Sequence, residues 1–168
     1  MVPRSGESLL TQIYAASDER ALPQALQTLR GGGLVVFPTD TVYGLGCDLW
    51  QSRAVERLYW AKQRPLSLPI PILVSAREQV TQVASELPAP FEALVDRCWP
   101  GGLSVIVRRR PSVPDVVCAG RPTVAVRMPR HPLALRLIAG MGGALAVTSA
   151  NLSGQGAART VQEALSGL

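Results

Sequence analysis

The chain has 168 residues, of which 47% are hydrophobic and 17% charged, and its formal net charge is +5 at pH 7. This composition is too apolar for a disordered chain, and the length suits one domain with a substantial core. A membrane-spanning helix and a signal peptide are not expected, because the required apolar runs are missing. We therefore predict one cytoplasmic domain over residues 1–168, with a positive charge that favours an anionic partner such as a nucleotide, a phosphate or RNA.

The cysteines and the histidine argue against a metal centre built from protein side chains. Cys47, Cys98 and Cys118 are far apart, and none forms a metal-binding spacing such as C-x2-C. His131 is the only histidine, so a histidine-based triad or a site with several histidine ligands is nearly excluded. We expect reduced, partly buried cysteines, a structural histidine and no metal ligands.

In chain order, the first third alternates helical and strand patterns. Apolar residues recur at helical spacing over 21–30, and the glycines at 31–33 would end that helix. The wholly apolar run 34–37 predicts a short strand buried on both faces. Ser52 could cap a second helix that ends near Lys62. The inward face of that helix would carry Val55, Leu58 and Tyr59.

The remaining patterns continue the alternation. A strand is predicted over 70–74, followed by a helix that begins at the capping-box sequence of Ser75 to Glu78. A second capping box, from Thr160 to Glu163, would open the last helix. Further strands are predicted over 103–107, 123–127 and 144–148, and further helices over 133–139 and on a face formed by Phe91, Leu94, Val95 and Cys98. The whole predicts an α/β domain with a largely buried sheet flanked by helices.

Three polar segments follow predicted strands or helices and could bind a ligand. Residues 38–46 combine two hydroxyls, a carboxylate and two glycines directly after a strand, and residues 148–154 bring further hydroxyl and amide groups. The ends of strands are where α/β sheets usually build ligand sites. The alternative for both segments is an ordinary polar turn. Neither a P-loop nor a G-x-G-x-x-G motif after a strand is present.

The third segment contains the only lysine, Lys62, two residues before Arg64. The other sixteen basic residues are arginines. A lone lysine therefore suggests a position where the planar guanidinium of arginine could not replace the compact ammonium of lysine. Together Lys62 and Arg64 could converge on a polyphosphate. One alternative is that this lysine survived by chance. The other is that both cations lie here because the C-terminus of a helix favours positive charge.

One predicted strand and the run before it carry further arginines. Thr123, Ala125 and Arg127 share one face by the period of two. A buried arginine is costly without an anion, so Arg127 needs a carboxylate partner or an edge position. The run 108–110 is more simply an exposed, solvated strand end than an RNA contact.

Five ordered segments together resemble the YrdC/Sua5 family of threonylcarbamoyl-AMP synthases over about residues 22–165. They are Pro38-Thr-Asp-Thr-Val-Tyr-Gly-Leu-Gly46, Lys62-x-Arg64-Pro65, Trp99-Pro100-Gly101, Thr123-Val-Ala-Val-Arg-Met-Pro129 and Thr148-Ser-Ala-Asn-Leu-Ser-Gly154. The resemblance implies a single-domain α/β fold with a twisted, open mixed sheet flanked by helices and a basic concave face.

The resemblance also implies an enzyme, a nucleotidyltransferase that makes L-threonylcarbamoyl-AMP and pyrophosphate. Its substrates would be L-threonine, bicarbonate and ATP with Mg²⁺. The product would serve the formation of N6-threonylcarbamoyladenosine at position 37 of tRNA, through a downstream tRNA threonylcarbamoyl-transferase complex. A direct contact with tRNA or double-stranded RNA is a further expectation.

The same resemblance implies roles for individual residues. Thr41 and Arg127 would bind threonine, with Arg127 pairing the carboxylate. Lys62 and Arg64 would be catalytic by neutralising phosphate charge. The residues around ATP would be Lys62, Arg64, Leu68, Thr123, Ser149, Asn151 and Arg159, with Leu68 acting through its backbone.

Two departures from the family and two rival functions accompany these expectations. Many relatives carry histidine where Leu73 stands, and longer relatives add C-terminal segments beyond the position of Leu168 that complete the site. One rival is an RNA-binding module without turnover. The other is a carbamoyl-transfer paralogue, although such proteins carry this domain within a much larger chain.

Overall fold

One seven-stranded sheet organises residues 11–168, the part of the chain that a computed structural model describes. The strands are β1 (Val35–Phe37), β2 (Gly44–Cys47), β3 (Ile72–Val74), β4 (Ala84–Glu86), β5 (Val105–Arg109), β6 (Thr123–Arg127) and β7 (Ala144–Ser149). The helices are α1 (Ala21–Arg30), α2 (Ser52–Ala61), α3 (Phe91–Cys98), α4 (Asp115–Cys118), α5 (Pro132–Gly140) and α6 (Val161–Ser166), with a 3₁₀ helix at Arg77–Gln82. The first ten residues of the predicted domain lie outside this description.

The sheet is mixed and open. Its strand order is β1-β2-β7-β3-β6-β5-β4, so β1 and β4 form the two edges. Only the pairing of β3 with β6 is parallel, and the other neighbouring pairs are antiparallel. The α/β class and the mixed, open sheet expected from the sequence are thereby confirmed.

Helices cover the sheet on both faces, which places two apolar clusters on opposite sides of it. Neighbouring residues of β3 show this alternation, since Ile72 belongs to the larger cluster with α2 and α3, whereas Leu73 belongs to the smaller cluster with α1 and α5. Thr123, Ala125 and Arg127 are half-buried while Val124 and Val126 are buried, so the predicted shared face of β6 is confirmed. Leu73 pairs with Arg127 across the parallel ladder, which places this face on the side of the smaller cluster.

Several predicted elements match the structure closely. Helix α1 spans the predicted residues 21–30, and β6 spans the predicted residues 123–127. Helix α2 ends at Lys62, which is its C-cap, and Val55, Leu58 and Tyr59 are buried as expected. Among residues 11–168, no helix is long and apolar enough to span a bilayer.

Other predictions about the strands are wrong, and the prediction of an exposed basic run is confirmed for Arg108 and Arg110 but not for Arg109. Strand β1 is an edge strand with Val36 exposed, so it is not buried on both faces. Strand β2 occupies part of the stretch expected to be a polar loop, and β4 and α4 were not expected at all. Arg109 is not a solvated strand end, because its guanidinium bonds the carbonyl oxygens of Arg121 and Val113 and pairs with Asp115.

Two predicted helix starts and one predicted helix face differ from the structure. Gln51, rather than Ser52, is the N-cap of α2. The segment after Ser75 is a 3₁₀ helix, and the Gln79 side chain, rather than Glu78, accepts from the backbone N–H groups of Ser75 and Ala76. Leu94 in α3 is exposed although its periodicity placed it inward.

Candidate functional site

An open cavity of about 210 Å³ lies against the sheet where β2, β3, β6 and β7 meet the loop after β1. We call it the hydroxyl cavity, because five hydroxyl-bearing residues contribute to its wall. Its lining residues are Thr39, Thr41, Val42, Gly44, Arg64, Pro71, Leu73, Ser104, Arg127, Val147, Thr148 and Ser149. Four of the predicted site residues, Thr41, Arg64, Arg127 and Ser149, are therefore brought together although they come from distant parts of the chain.

Arg127 is the cation on the floor of the hydroxyl cavity, and Asp40 compensates its charge. Arg127 Nη2 lies 2.5 Å from Asp40 Oδ1, and the two side chains are 14% and 16% exposed. The guanidinium also donates from Nε to the Gly101 carbonyl at 2.9 Å and from Nη1 to Thr41 Oγ1 at 3.1 Å. Of the two solutions expected for Arg127, the carboxylate partner is the one found, since β6 lies inside the sheet.

These contacts leave Arg127 oriented and still able to bind an anion. A guanidinium has five N–H donors in a planar fork, and three of them are used by Gly101, Thr41 and Asp40. Among residues 11–168, the other two donors have no acceptor. Because Asp40 Oδ1 also accepts from the Arg130 backbone N–H at 3.0 Å, the carboxylate itself is held in place.

Arg64 lies on another wall of the hydroxyl cavity and is oriented by backbone carbonyls. It donates from Nε to Leu68 O at 3.2 Å and from Nη2 to Pro69 O at 3.0 Å. Both acceptors are neutral carbonyls, so neither of these contacts compensates the positive charge of the guanidinium. Such a half-buried cation is suited to a phosphate or a carboxylate ligand.

Lys62 occupies a different environment from the one expected. Its side chain is only 1% exposed, and Nζ donates to the backbone carbonyls of Ser149 and Asn151. Burial, with a smaller contribution from the nearby Arg64 charge, lowers the pKa of Lys62 to about 8. The ammonium does not line the hydroxyl cavity, and its direct contact with phosphate stays a prediction.

A second cavity, of about 400 Å³, lies between α6 and the loop that follows β7. We call it the C-terminal cavity. Two predicted ATP residues, Asn151 and Arg159, line it together with Glu163. The Asn151 amide donates to Leu152 O and Gln155 O, which fixes its orientation. Its buried Oδ1 has no hydrogen-bond partner among the described residues, so Asn151 offers a free acceptor.

Arg159 and Glu163 mark the start of α6. Glu163 Oε2 accepts from the Arg159 backbone N–H at 2.6 Å, and Thr160 Oγ1 accepts from the Glu163 N–H at 3.1 Å. The second capping box therefore exists in a modified form, in which the glutamate bonds the residue before Thr160. The exposed Arg159 side chain stands beside the C-terminal cavity.

Besides Lys62, two further predicted ATP residues, Thr123 and Leu68, lie outside the linings of both cavities. Thr123 is at the start of β6, whereas Arg127 is at its end. The Leu68 carbonyl, expected to contact the nucleotide, accepts from the Tyr59 hydroxyl at 2.8 Å and from Arg64. The roles of Thr123 and Leu68 stay predictions.

Sequence reasoning missed Asp40, Ser104 and Thr148 as site residues. Asp40 is part of a quoted polar loop, and the requirement of Arg127 for an anion was the available signal for it. Thr148 also lay within a quoted polar loop. Ser104 precedes β5 and carried no distinguishing pattern.

A family model described as "Telomere recombination", which covers Sua5, YciO and YrdC proteins, matches residues 27–168. The chain belongs to this Sua5/YciO/YrdC family. The resemblance expected from the five segments is thereby confirmed.

Curated relatives include threonylcarbamoyl-AMP synthases from Pyrococcus abyssi and Bacillus subtilis. The first is 44% identical over 148 residues, and the second 40% identical over 141 residues. These matches cover 88% and 83% of this chain but only 44% and 41% of the relatives. The chain therefore spans less than half the length of these two relatives.

Solved structures agree with the family assignment. The crystal structure of P. abyssi Sua5 complexed with L-threonine superposes with a TM-score of 0.86 at 39% identity, covering 89% of this chain and 44% of that one. The E. coli YciO crystal structure gives a TM-score of 0.72 at 26% identity, covering 82% of this chain and 67% of that one.

Proposed function

We propose that this chain is an L-threonylcarbamoyladenylate synthase, a nucleotidyltransferase that forms threonylcarbamoyl-AMP and pyrophosphate from L-threonine, bicarbonate and ATP. The observation that carries the proposal is the hydroxyl cavity, which joins Arg127, Thr41, Arg64 and Ser149 in a member of this family. Its relatives named threonylcarbamoyl-AMP synthase and the relative solved with L-threonine support the same assignment.

We assign threonine to the Arg127 side of the hydroxyl cavity. The two free guanidinium donors of Arg127 suit a carboxylate, and Thr41 lies 3.1 Å from Nη1. Leu73, which pairs with Arg127, supplies an apolar wall. The remaining wall is rich in hydroxyl groups, which suits a polar, hydroxyl-bearing amino acid.

We assign the triphosphate of ATP to the Arg64 side and the nucleoside to the C-terminal cavity. Ser149 lines the hydroxyl cavity and Asn151 lines the C-terminal cavity, so residues only two apart in the chain contribute to both cavities. A carbamate formed from the threonine amine and bicarbonate would attack the α-phosphorus, and pyrophosphate would leave. Positioning and charge neutralisation would supply most of the acceleration, as is usual for phosphoryl-type transfers.

Mg²⁺ would enter with the nucleotide and help to neutralise its phosphates. Among residues 11–168, no group of three His, Cys, Asp or Glu side chains is placed to hold a metal ion. We therefore propose that phosphate oxygens supply most ligands of the ion, as is common for Mg²⁺.

We also propose a role for the product in tRNA modification. The product would supply the carbamoylated threonine of N6-threonylcarbamoyladenosine in tRNA, through a transferase complex that consumes the adenylate. Direct binding of tRNA or double-stranded RNA to a basic concave face, and the cytoplasmic location, stay predictions.

Incubation with ATP, Mg²⁺, bicarbonate and one amino acid at a time tests the proposed reaction. We expect pyrophosphate release with L-threonine and an adenylate product that mass spectrometry identifies as threonylcarbamoyl-AMP. Reactions without bicarbonate are the control. Salt-sensitive binding of double-stranded RNA with no pyrophosphate release would instead support an RNA-binding module.

Replacing Arg64 by methionine tests the phosphate assignment. We expect kcat/KM for ATP to fall about tenfold or more, equivalent to about 1.4 kcal/mol or more of barrier, because a phosphate-binding fork is lost. Arg53→Met is the matched control, since Arg53 is an exposed arginine of α2 that lines neither cavity. An unchanged kcat/KM for ATP in Arg64→Met would refute the assignment.

A further inference from the structure

The only lysine of the chain is buried where its neighbours are backbone carbonyls. Nζ of Lys62 donates to Ser149 O and to Asn151 O, both at 2.5 Å. The backbone adds a third link, because Ser153 N donates to Lys62 O at 2.9 Å. Three hydrogen bonds thus join the C-cap of α2 to the loop at 149–153.

That loop lies between the two cavities. Ser149, at the end of β7, lines the hydroxyl cavity, and Asn151 lines the C-terminal cavity. The carbonyls held by Lys62 belong to these two residues. A single ammonium group therefore fixes one residue of each cavity relative to the other.

We propose that Lys62 is a positioning residue that holds the 149–153 loop in the conformation that aligns the two cavities. The inference rests on the proposed function for what the cavities bind, but the loop contacts stand without it. It assigns Lys62 an action through Ser149 and Asn151 rather than through direct contact with a phosphate group.

The geometry also explains why an otherwise arginine-rich chain has lysine here. Two carbonyls from residues two apart converge on one atom, and a compact ammonium can donate to both at once. A guanidinium is larger and planar, with its donors in a fixed fork. With the side chain 1% exposed, little room remains for that larger group.

Amide hydrogen exchange of the protein without ATP tests the loop contacts. Lys62→Met keeps an unbranched side chain of similar length but removes the ammonium group. We expect the amides of residues 151–155 to exchange about tenfold faster or more in this variant, because the loop opens locally. Arg53→Met, at the exposed start of the same helix, should leave them unchanged. A direct phosphate contact predicts no change in the free protein, and that result would overturn the proposal.

Because Lys62 is the only lysine, the unmodified protein provides a second test that needs no variant. Amine acetylation followed by mass spectrometry of the Lys62 peptide should find this side chain unmodified in the folded protein without ATP and modified after unfolding. Protection that arises only when ATP is added would overturn the proposal. This measurement remains decisive if Lys62→Met does not fold.

Kinetics provide a readout that distinguishes the two roles of Lys62. Misalignment of both cavities should raise KM for ATP and for L-threonine and lower kcat, with a total loss in kcat/KM of about tenfold or more, and Lys62→Arg should not restore activity. A change confined to KM for ATP, with rescue by Lys62→Arg, would show direct phosphate binding instead. Absence of turnover in the wild-type chain would refute the proposed function but leave the exchange and acetylation results to judge the loop contacts.

Discussion

Replacing Arg127 by methionine is expected to lower kcat/KM for L-threonine by about 100-fold, or about 2.7 kcal/mol of transition-state stabilisation. The variant removes the two N–H donors that we assign to the threonine carboxylate, and with them a charge-assisted interaction of a side chain that is only 14% exposed. The kcat/KM should be measured from pyrophosphate release with threonine varied at saturating ATP.

The same substitution also affects folding, and this effect must be separated from catalysis. Asp40 is 16% exposed and would keep only the Arg130 backbone N–H as donor to its Oδ1. We expect a loss of about 2 kcal/mol in the free energy of unfolding, less than the cost of about 3 kcal/mol or more for a fully buried pair, because the pair is partly exposed.

The double variant Asp40→Asn/Arg127→Met provides the separation. It removes the uncompensated carboxylate, so part of the lost stability should return, while kcat/KM for threonine should stay low. Denaturant unfolding and kinetics on the two single variants and the double variant complete the cycle. Threonine kinetics close to wild type in the double variant would remove Arg127 from the threonine site.

Replacing Ile72 by alanine is expected to reduce the free energy of unfolding by about 3 kcal/mol. Ile72 is 0% exposed in β3, where it pairs with Val126 of β6 and Ala146 of β7. Truncation would leave a cavity at a place where strands on both sides restrict collapse.

Ile106→Ala is the matched control, since Ile106 is 67% exposed in β5, which is separated from β3 by β6 in the same sheet. Its effect on the free energy of unfolding should stay below about 0.5 kcal/mol. Both variants should be compared by urea denaturation. Equal losses in the two variants would contradict the assignment of Ile72 to the core.

Local sequence patterns predicted the elements whose side chains carry a clear period. Helix α1 and strand β6 match their predicted bounds because helical spacing and alternation are local consequences of which face is buried. Strand β2 was missed because Gly44 and Gly46 supply no side-chain period. The sheet explains these glycines, since a Cβ would lie 2.8 Å from Val147 Cγ1 at Gly44 and 2.9 Å from Phe37 Cε1 at Gly46.

For the candidate site, the motifs predicted which residues belong to it but not which contacts surround them. The quoted motifs were sufficient to identify the family, and they contained Thr41, Arg64, Arg127 and Ser149, which meet in one cavity. They did not show that Arg127 is compensated by Asp40, because that contact joins residues 87 apart in sequence. The motifs also did not show which residues of each polar loop line a cavity.

The sequence by itself determined that this is an α/β domain of the Sua5/YciO/YrdC family and which segments contribute residues to the candidate site. Only the tertiary structure decided what each charged group does, because its environment depends on which distant carbonyls and carboxylates surround it. Arg64 and Lys62 are two residues apart, yet Arg64 lines a cavity while Lys62 is buried against the 149–153 loop. Burial and hydrogen-bond partners are properties of the packed chain, and no local pattern encodes them.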